Sequence, residues 1–260
     1  MQQYNILSIV EKVNLSGSWE NAEKVLNQVI SQSQRPIVLS FINAHGFNLC
    51  HSDPEYFSAL LNADVLLRDG RGIEMLYKGI GKNPGENFCG TDFIPHLLRL
   101  RPGARVALLG TRQPFLEKAA HELEKIGLQV VLCCDGFQLS EHYAALVQSR
   151  QPDIVLLGMG NPKQEKVAEA LRQELNFPAL LINGGAIIDY LGGKVARAPL
   201  QMRRMGLEWL FRLWLEPRRM FRRYVLGNMH FLWRMFQVKR MVSATGKADA
   251  ANGSLQQRAA

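Results

Sequence analysis

The sequence has few of the residues that metal sites, disulfide frameworks and membrane spans require. Its 260 residues include four cysteines, and their spacing matches no metal-ligand pattern. Cys133 and Cys134 are adjacent in a strand-like run and point to opposite faces, so we expect buried, reduced thiols. No uncharged apolar run approaches the about 20 residues of a membrane-spanning helix. No basic segment followed by an apolar one opens the chain, so we expect no signal peptide and a cytoplasmic or inner-membrane-face location.

The positive charge is concentrated towards the C-terminal end. The whole chain carries a formal net charge of +8, while residues 197–240 carry +9, from ten arginines and one lysine against two glutamates. Three of the four tryptophans lie in the same segment. The sequence therefore predicts a near-neutral body at 1–196 and a basic aromatic appendage at 197–240. We expect the small and polar tail at 241–260 to be disordered.

Short apolar runs alternate with helical patterns through the body. The predicted strands are 36–43, 65–67, 105–109, 128–133, 154–157 and 179–182. The predicted helices are 19–31, 54–62, 91–100, 115–126, 141–149 and 162–175. This alternation is typical of an α/β fold, with a Rossmann-like parallel sheet covered by helices on both faces. Such sheets bind ligands in the crevice beyond the carboxyl ends of their strands.

The turn after the predicted strand 154–157 is the most informative of these strand ends. The strand ends in Gly158 and Gly160, and a helical pattern follows at once. Backbone N–H groups left free at a helix start bind anions, and Lys163 and Gln164 crowd the mouth of the turn. We therefore predict that this turn holds a phosphate-bearing ligand, with an ordinary strand-to-helix turn as the alternative.

Two common nucleotide-binding motifs do not fit this sequence. A dinucleotide fingerprint needs a third glycine where Lys163 stands and an acidic residue at the end of the next strand. That strand ends instead in Asn183-Gly184-Gly185. The P-loop pattern fails because Gly193-Lys194 is followed by Val195 and lacks the upstream glycine. We therefore expect neither NAD nor a nucleotide held by a P-loop, and we predict no cofactor.

Other predicted strands end in polar or glycine-containing turns at the same edge. Each turn has a structural explanation, because Asp-Gly is a common turn and Asn and Asp cap helices. Their shared position makes them substrate-binding candidates nevertheless. The candidates are Asn43, His45, Arg71, Gly110, Thr111, Asp135, Gly136, Gly158, Gly160, Lys163, Gln164, Gly184, Gly185 and Arg197.

Asp69 is the candidate catalytic residue. It follows a buried strand, so its carboxylate is expected at the rim of the crevice, where it can remove the proton of a sugar hydroxyl as a general base. The alternative is a simple turn in which Arg68 and Arg71 pair with it. The chain has no Asp-x-Asp motif and therefore gives no sign of a divalent metal. Cationic side chains and backbone amides are expected to neutralise a leaving diphosphate.

A series of ordered motifs runs through most of the chain. They are Ile42-Asn43-Ala44, Ala63-Asp64, Asp69-Gly70, Gly90-Thr-Asp-Phe93, Asp135-Gly136-Phe137, Gly158-Met-Gly-Asn-Pro-Lys-Gln-Glu165, Asn183-Gly-Gly185, Gly193-Lys-Val-Ala-Arg-Ala-Pro199, Gly206-Leu-Glu-Trp-Leu-Phe-Arg212 and Glu216-Pro-Arg218. In these motifs the chain resembles the WecG/TagA/CpsF family of bacterial glycosyltransferases over residues 5–236. Members of the TagA type carry a Thr two positions before the strand-end Asn, where this chain has Phe41. The role of that Thr in orienting the acceptor is absent here or falls to Ser40 or His45.

The resemblance implies an inverting, metal-independent transferase. Such enzymes move a sugar from a UDP-sugar to a polyprenyl-diphosphate-linked sugar at the cytoplasmic face of the bacterial inner membrane, in surface or exopolysaccharide synthesis. It further implies that Asp69 is the catalytic base and that Gln164 helps line the nucleotide pocket. It also implies that the appendage meets the membrane and covers the site. The donor stays open between UDP-N-acetylmannosamine, its uronate and a UDP-hexose such as UDP-glucose.

The appendage supports a membrane partner on physical grounds. Apolar residues after Pro217 recur at helical spacing, which is typical of a helix lying among anionic lipid headgroups. A helix packed on the body is one alternative. Nucleic-acid binding is another, which we disfavour because the charge is confined to a tail with apolar helical spacing. A homo-oligomer is left open. The predicted membrane-binding residues are Arg218, Arg219, Arg222 and Arg223.

Overall fold

The computed structural model describes residues 5–205 and 207–258. In this part of the chain, six parallel strands form one sheet in the order β2-β1-β6-β5-β3-β4. The strands are β1 (Ile37–Ile42), β2 (Val65–Arg68), β3 (Arg105–Gly110), β4 (Gln129–Asp135), β5 (Ile154–Leu157) and β6 (Leu180–Asn183). The strands β1, β2, β5 and β6 are buried along their whole length, as expected for a parallel sheet covered on both faces. The predicted α/β fold is confirmed.

Helices cover both faces of the sheet. They are α1 (Ile6–Lys12), α2 (Trp19–Ser31), α3 (Ala44–Leu49), α4 (Pro54–Asn62), α5 (Arg71–Gly79), α6 (Gly90–Arg99), α7 (Phe115–Lys125), α8 (Ser140–Arg150), α9 (Lys163–Glu174) and α10 (Ile187–Leu191). Successive residues of a strand pack on opposite faces of the sheet. Leu39 and Leu108 pack under α2, α6 and α7. Val38 and Leu109 pack under α8 and α9 on the other face. The sheet is therefore the middle layer of three.

Local sequence explains where several helices begin. The Ser18 hydroxyl accepts a hydrogen bond from the Asn21 backbone N–H at the start of α2. The Asp53 carboxylate does the same for the Tyr56 N–H, and Pro54 occupies the first turn of α4, where no N–H is needed. Both helices were predicted from their apolar spacing. Their capping residues explain why each helix begins where it does.

Four helices in the described residues, namely α1, α3, α5 and α10, were not predicted. The helices α3, α5 and α10 each follow a strand directly and contain 6, 9 and 5 residues. The helices α3 and α10 carry too few apolar repeats to reveal a helical period, and α5, as long as α4, lacks a side-chain cap at its start. Gly46 in α3 and Gly72 in α5 also lower helix propensity. All three helices begin at the carboxyl edge of the sheet.

The C-terminal segment is helical and partly docked on the body. It contains α11 (Leu200–Arg204), α12 (Glu208–Leu215), α13 (Pro217–Phe221), a π-helical turn (Arg222–Leu226) and α14 (Gly227–Arg258). The segment predicted to be disordered, 241–260, continues α14 to Arg258, and the last two residues lie outside the described part. The division of the chain into three parts stays a prediction. The side chains of Arg219 and Arg223 also lie outside the described residues.

Two kinds of contact hold α14 against α3 and α5. Phe231 is 2% exposed and packs edge-on against Phe47, with ring centroids 5.6 Å apart. The Asn48 amide donates to the Gly227 carbonyl at 2.7 Å, and the Arg234 guanidinium donates to the Asn48 carbonyl at 2.6 Å. No helix in the described ranges is long and apolar enough to cross a membrane.

The docking of α14 yields a stability prediction. Phe231→Ala should cost about 3 kcal/mol, because a buried aromatic ring is removed from a packed cluster. Phe236→Ala, a change to a ring on the same helix that is 58% exposed, should alter stability by less than about 0.5 kcal/mol. Chemical unfolding and limited proteolysis of α14 measure the difference. Equal stabilities of the two variants would contradict the docked arrangement.

Candidate functional site

The six strand ends place most of the predicted site residues in one row along the carboxyl edge of the sheet. Following the strand order, the row runs from Asp69 after β2 and Asn43 after β1 to Gly184 after β6. It continues through Gly158 after β5 and Thr111 after β3 to the end of β4. Neighbouring strands lie about 4.8 Å apart, so the row is about 24 Å long. The carboxyl edge of the sheet therefore carries these residues side by side.

The Asp69 end of the row is held by backbone and side-chain hydrogen bonds. The Asp69 N–H donates to the Ile42 carbonyl at 2.8 Å, and the side chain is half-buried. Gly70 adopts a φ of +84°, and its N–H donates to the Asn87 Oδ1 at 2.7 Å. The backbone on both sides of the Asp69 carboxylate is thus fixed. Asn87 was not predicted, since it lies 18 positions downstream in an irregular loop.

Arg68 binds backbone carbonyls of a loop, which differs from the pairing with Asp69 that the sequence offered as an alternative. It is 4% exposed, and its guanidinium donates to the carbonyls of Pro84 and Gly85 at 2.7 Å each. A third, longer bond of 3.4 Å reaches the Asn87 Oδ1. Arg68 therefore anchors the loop that precedes α6. Arg71, at the start of α5, is exposed.

The structure at the end of β1 distinguishes Ser40 from His45 as replacements for the missing Thr. Phe41 turns into the core beneath α6 and contacts Phe93 edge-on, with ring centroids 6.4 Å apart. Ser40 is fully buried, and its hydroxyl accepts a hydrogen bond from the Asn183 amide at 2.7 Å. A fully buried hydroxyl inside the sheet cannot reach a substrate. His45, the other replacement, is half-buried in the first turn of α3 and stays a candidate.

One glycine N–H at the predicted phosphate turn and one in the turn after β6 are bound by the protein itself. The Gln164 Oε1 accepts hydrogen bonds from Gly160 N–H at 3.1 Å and Gly185 N–H at 2.9 Å. Its Nε2 donates to Glu165 Oε1 at 2.9 Å. These two amides are therefore engaged in joining the turns after β5 and β6. The Lys163 ammonium donates to the Gln138 carbonyl at 3.1 Å and bridges to the turn after β4.

The other glycines of the row allow close packing of α10. An added Cβ on Gly158 would lie 2.7 Å from the Ile188 side chain, and one on Gly110 would lie 2.8 Å from it. A Cβ on Gly136 would lie 2.9 Å from the Gly110 carbonyl oxygen, and one on Gly184 would collide with Ile187. These four glycines are explained by packing. Their predicted contact with substrate stays a prediction.

Lys194 and Asp135 are the charged residues on the β3 and β4 side of the row whose contacts define the site there. The Lys194 ammonium donates to the Thr111 hydroxyl and to Asp189, both at 3.0 Å. Lys194 was not among the predicted residues, although it follows Gly193 in one of the ordered motifs. Asp135 caps its own turn, because its carboxylate accepts from the Phe137 N–H at 2.9 Å. This is the turn chemistry that Asp-Gly sequences commonly show.

Arg197 fastens the appendage to the body. Its guanidinium makes two bonds to the Asp92 carboxylate, at 2.8 and 2.9 Å, and Arg203 reaches the same carboxylate at 3.1 Å. Burial alone raises the pKa of Asp92, but the hydrogen bonds and charge of the two arginines outweigh it and hold the pKa below its usual value. Arg197 therefore acts as an anchor, and its predicted contact with substrate stays a prediction.

The start of the appendage lies close to Asp69. Burial, together with the charges of Asp69 and Glu208, raises the pKa of the Cys89 thiol to about 12. Cys89 therefore has Asp69 and Glu208, a residue of α12, as neighbouring carboxylates. The Tyr190 ring lies 5.4 Å from the Arg212 guanidinium, which adds a cation–π contact between α10 and α12. The described residues contain no group of three or more His, Cys, Asp or Glu placed to hold a metal ion.

Two bacterial enzymes and one family model match the sequence of this chain. The chain is similar to the N-acetylglucosaminyldiphosphoundecaprenol N-acetyl-beta-D-mannosaminyltransferase of Bacillus subtilis (strain 168), with 29% identity over 186 residues, 69% of this chain and 72% of that protein. It is also similar to the enzyme of the same name from Bacillus spizizenii, with 28% identity over 207 residues, 77% of this chain and 75% of that protein. A model of the glycosyl transferase WecG/TagA/CpsF family matches residues 9–244. The chain therefore belongs to the WecG/TagA/CpsF family of glycosyltransferases, as its motifs indicated.

Proposed function

We propose that this protein transfers a sugar from a UDP-sugar to a polyprenyl-diphosphate-linked sugar, with inversion at the anomeric carbon, in bacterial surface or exopolysaccharide synthesis. The two relatives are named for transfer of N-acetylmannosamine to N-acetylglucosaminyldiphosphoundecaprenol. A UDP-N-acetylmannosamine-type donor is therefore tested first, and a UDP-hexose second. The observation that carries the proposal is the fixed, half-buried Asp69 at the carboxyl edge of a family-typical sheet.

In the proposed reaction, Asp69 acts as the general base. Its carboxylate removes the proton of the acceptor hydroxyl while the hydroxyl oxygen attacks the anomeric carbon of the donor. The bond between that carbon and the diphosphate oxygen breaks on the opposite face, and UDP leaves with the bonding electrons. This single displacement inverts the anomeric centre. The hydrogen bonds around Gly70 and Asp69 hold the base in place before the substrate arrives.

The leaving diphosphate is proposed to lie near the middle of the row. Lys163, three strands from Asp69, is about 14 Å away along the sheet. A donor sugar and its diphosphate extend in this direction from the base. Lys163 and Lys194 supply positive charge that stabilises the leaving group without a metal ion. Donor binding at this position also gives a function to the turns after β5 and β6, which Gln164 holds together.

The appendage is proposed to bind the cytoplasmic face of the inner membrane peripherally. Beyond Glu208 it leaves large apolar side chains in solvent, close in sequence to Arg218 and Arg222, which are also exposed. Aromatic residues with arginines suit the interface of an anionic membrane. Because Arg197 and Arg203 tie this segment to α6, membrane contact and the site lie on connected elements. The exposed apolar residues include Trp214, Phe221, Leu226, Met229, Trp233 and Phe236.

The assignment of Asp69 predicts the effect of an isosteric change. Asp69→Asn should lower turnover by about 10²- to 10⁴-fold, the usual contribution of a general base, with little change in UDP affinity. Asp153→Asn, at the opposite edge of the sheet, is the control and should keep wild-type turnover. Steady-state kinetics and UDP titration calorimetry give both quantities. A variant Asp69→Asn with near-wild-type turnover would show that another group is the base.

Charge neutralisation by lysines predicts activity without added metal. Turnover should survive EDTA, because Lys163 and Lys194 carry the positive charge that the leaving UDP needs. Lys163→Met should lower turnover by about tenfold or more. The assay compares initial rates with EDTA, with magnesium and with manganese. Complete loss of activity in EDTA that either metal restores would contradict this prediction.

The membrane proposal predicts a charge effect. Reversing Arg218, Arg219, Arg222 and Arg223 to Glu should weaken binding to anionic vesicles steeply, since each Arg near such a surface contributes about 1 kcal/mol. The remaining binding should depend less on salt. Lys118→Glu with Lys125→Glu on α7 is the control and should bind as the wild type. Co-sedimentation with vesicles is compared with binding to single-stranded DNA. Loss of DNA binding alone would favour the nucleic-acid alternative.

A further inference from the structure

Glu165 is a buried acidic side chain that the proposed reaction does not use. It is 1% exposed, and its Oε2 has no hydrogen-bond partner among the described residues. Burial raises the pKa of its carboxyl to about 7. A carboxyl group with an unmatched oxygen lowers the stability of a protein interior. An apolar side chain of the same size would make the protein more stable at this position, unless the other carboxyl oxygen, Oε1, makes a contact that the protein needs.

The other carboxyl oxygen of Glu165, Oε1, supports the orientation of the Gln164 amide. The N–H groups of Gly160 and Gly185 both point at one atom of the Gln164 amide, at 3.1 and 2.9 Å. Two donors require an acceptor, so this atom is the carbonyl oxygen and the NH₂ group must face the other way. Glu165 Oε1 stands there and accepts from that NH₂ at 2.9 Å. A flipped amide would place NH₂ against two N–H groups and lose all three bonds.

The bonds of Gln164 connect the turns after two neighbouring strands. Gly160 and Gly185 have φ values of +76° and +61°, and an added Cβ on either would meet no atom within 4 Å. These turns follow the neighbouring strands β5 and β6. They flank the place proposed for the donor diphosphate. The Gln164 amide therefore joins the two turns, and Glu165 is the acceptor for the NH₂ group of that amide.

We propose that Glu165 is a positioning residue for the donor: through Gln164, it holds the turns after β5 and β6 in the shape that binds the sugar nucleotide. This inference rests on the proposed function for its kinetic consequence. Its structural consequence, the ordering of two turns, does not. An acidic residue in the first turn of α9 also interacts favourably with the helix dipole. That simpler role predicts a change in stability without a change in donor binding.

Four variants separate these roles: Glu165→Met, Glu165→Gln, Gln164→Met and the double variant with both methionines. Glu165→Met keeps the side-chain volume but removes the acceptor. It should raise the donor KM about tenfold with kcat within about threefold. The thermal midpoint should change little, because relief of the buried carboxyl group offsets the loss of the acceptor for the Gln164 NH₂ group. Hydrogen exchange at Gly160 and Gly185 should become about tenfold faster. Glu165→Gln keeps an acceptor oxygen and should restore donor KM and exchange to within about twofold.

The double variant tests whether Glu165 acts through Gln164. If it does, Gln164→Met and the double variant should have the same donor KM, because the second change removes a contact that is already lost. Additive effects would overturn the inference. So would wild-type donor KM or wild-type exchange in Glu165→Met, or a loss of thermal midpoint with donor KM unchanged. Absence of UDP-sugar turnover in the wild type would refute the proposed function, while the exchange measurements would still decide the ordering of the turns.

Discussion

The parallel direction of all six strands is the constraint on which the rest of the structure depends. Parallel strands bring every carboxyl end to one edge, where each chain must leave the sheet through a turn and satisfy its own peptide groups. In this protein carbonyls of neighbouring strands satisfy the first of those groups, and side chains satisfy several of the next. Asn87 holds the Gly70 N–H, and Gln164 holds those of Gly160 and Gly185. The same edge therefore combines a rigid frame with the polar groups that a substrate needs.

The sequence predicted the layers and the position of the site because both depend on local patterns. Buried apolar runs identify parallel strands, and the residues directly after each run must lie at the carboxyl edge. The pairing of turns could not be predicted in this way. Gln164 and Gly185 are 21 residues apart and meet only because β5 and β6 are neighbours, an order that hydrophobic patterns do not encode. Asn87 likewise reaches Gly70 from a loop without periodicity.

The apolar residues of the appendage helix α14 are divided between a face packed on the body and a face in solvent. The sequence left open whether the helix after Pro217 lies on a membrane or packs on the body. In the structure, Phe231 and Val238 are buried against the body, while Trp233 and Phe236, on the same helix, are in solvent. One face is thus occupied and another is available. Removing the whole segment would uncover the cluster around Phe47, so point substitutions test its membrane role more cleanly than truncation does.

The end of β1 illustrates how the core restricts the chemistry at the edge. Phe41 contributes to the aromatic cluster around Phe93. A Thr at this position would exchange that packing for a hydroxyl. The neighbouring Ser40 cannot compensate, because its hydroxyl is the hydrogen-bond acceptor for the buried Asn183 amide and stabilises the pairing of β1 with β6. Any acceptor contact from this strand must therefore come from beyond its last residue. Asn43 lies directly beyond that residue, and its side chain already accepts from the Gly46 N–H as the cap of α3, which leaves His45 as the replacement to test by mutation.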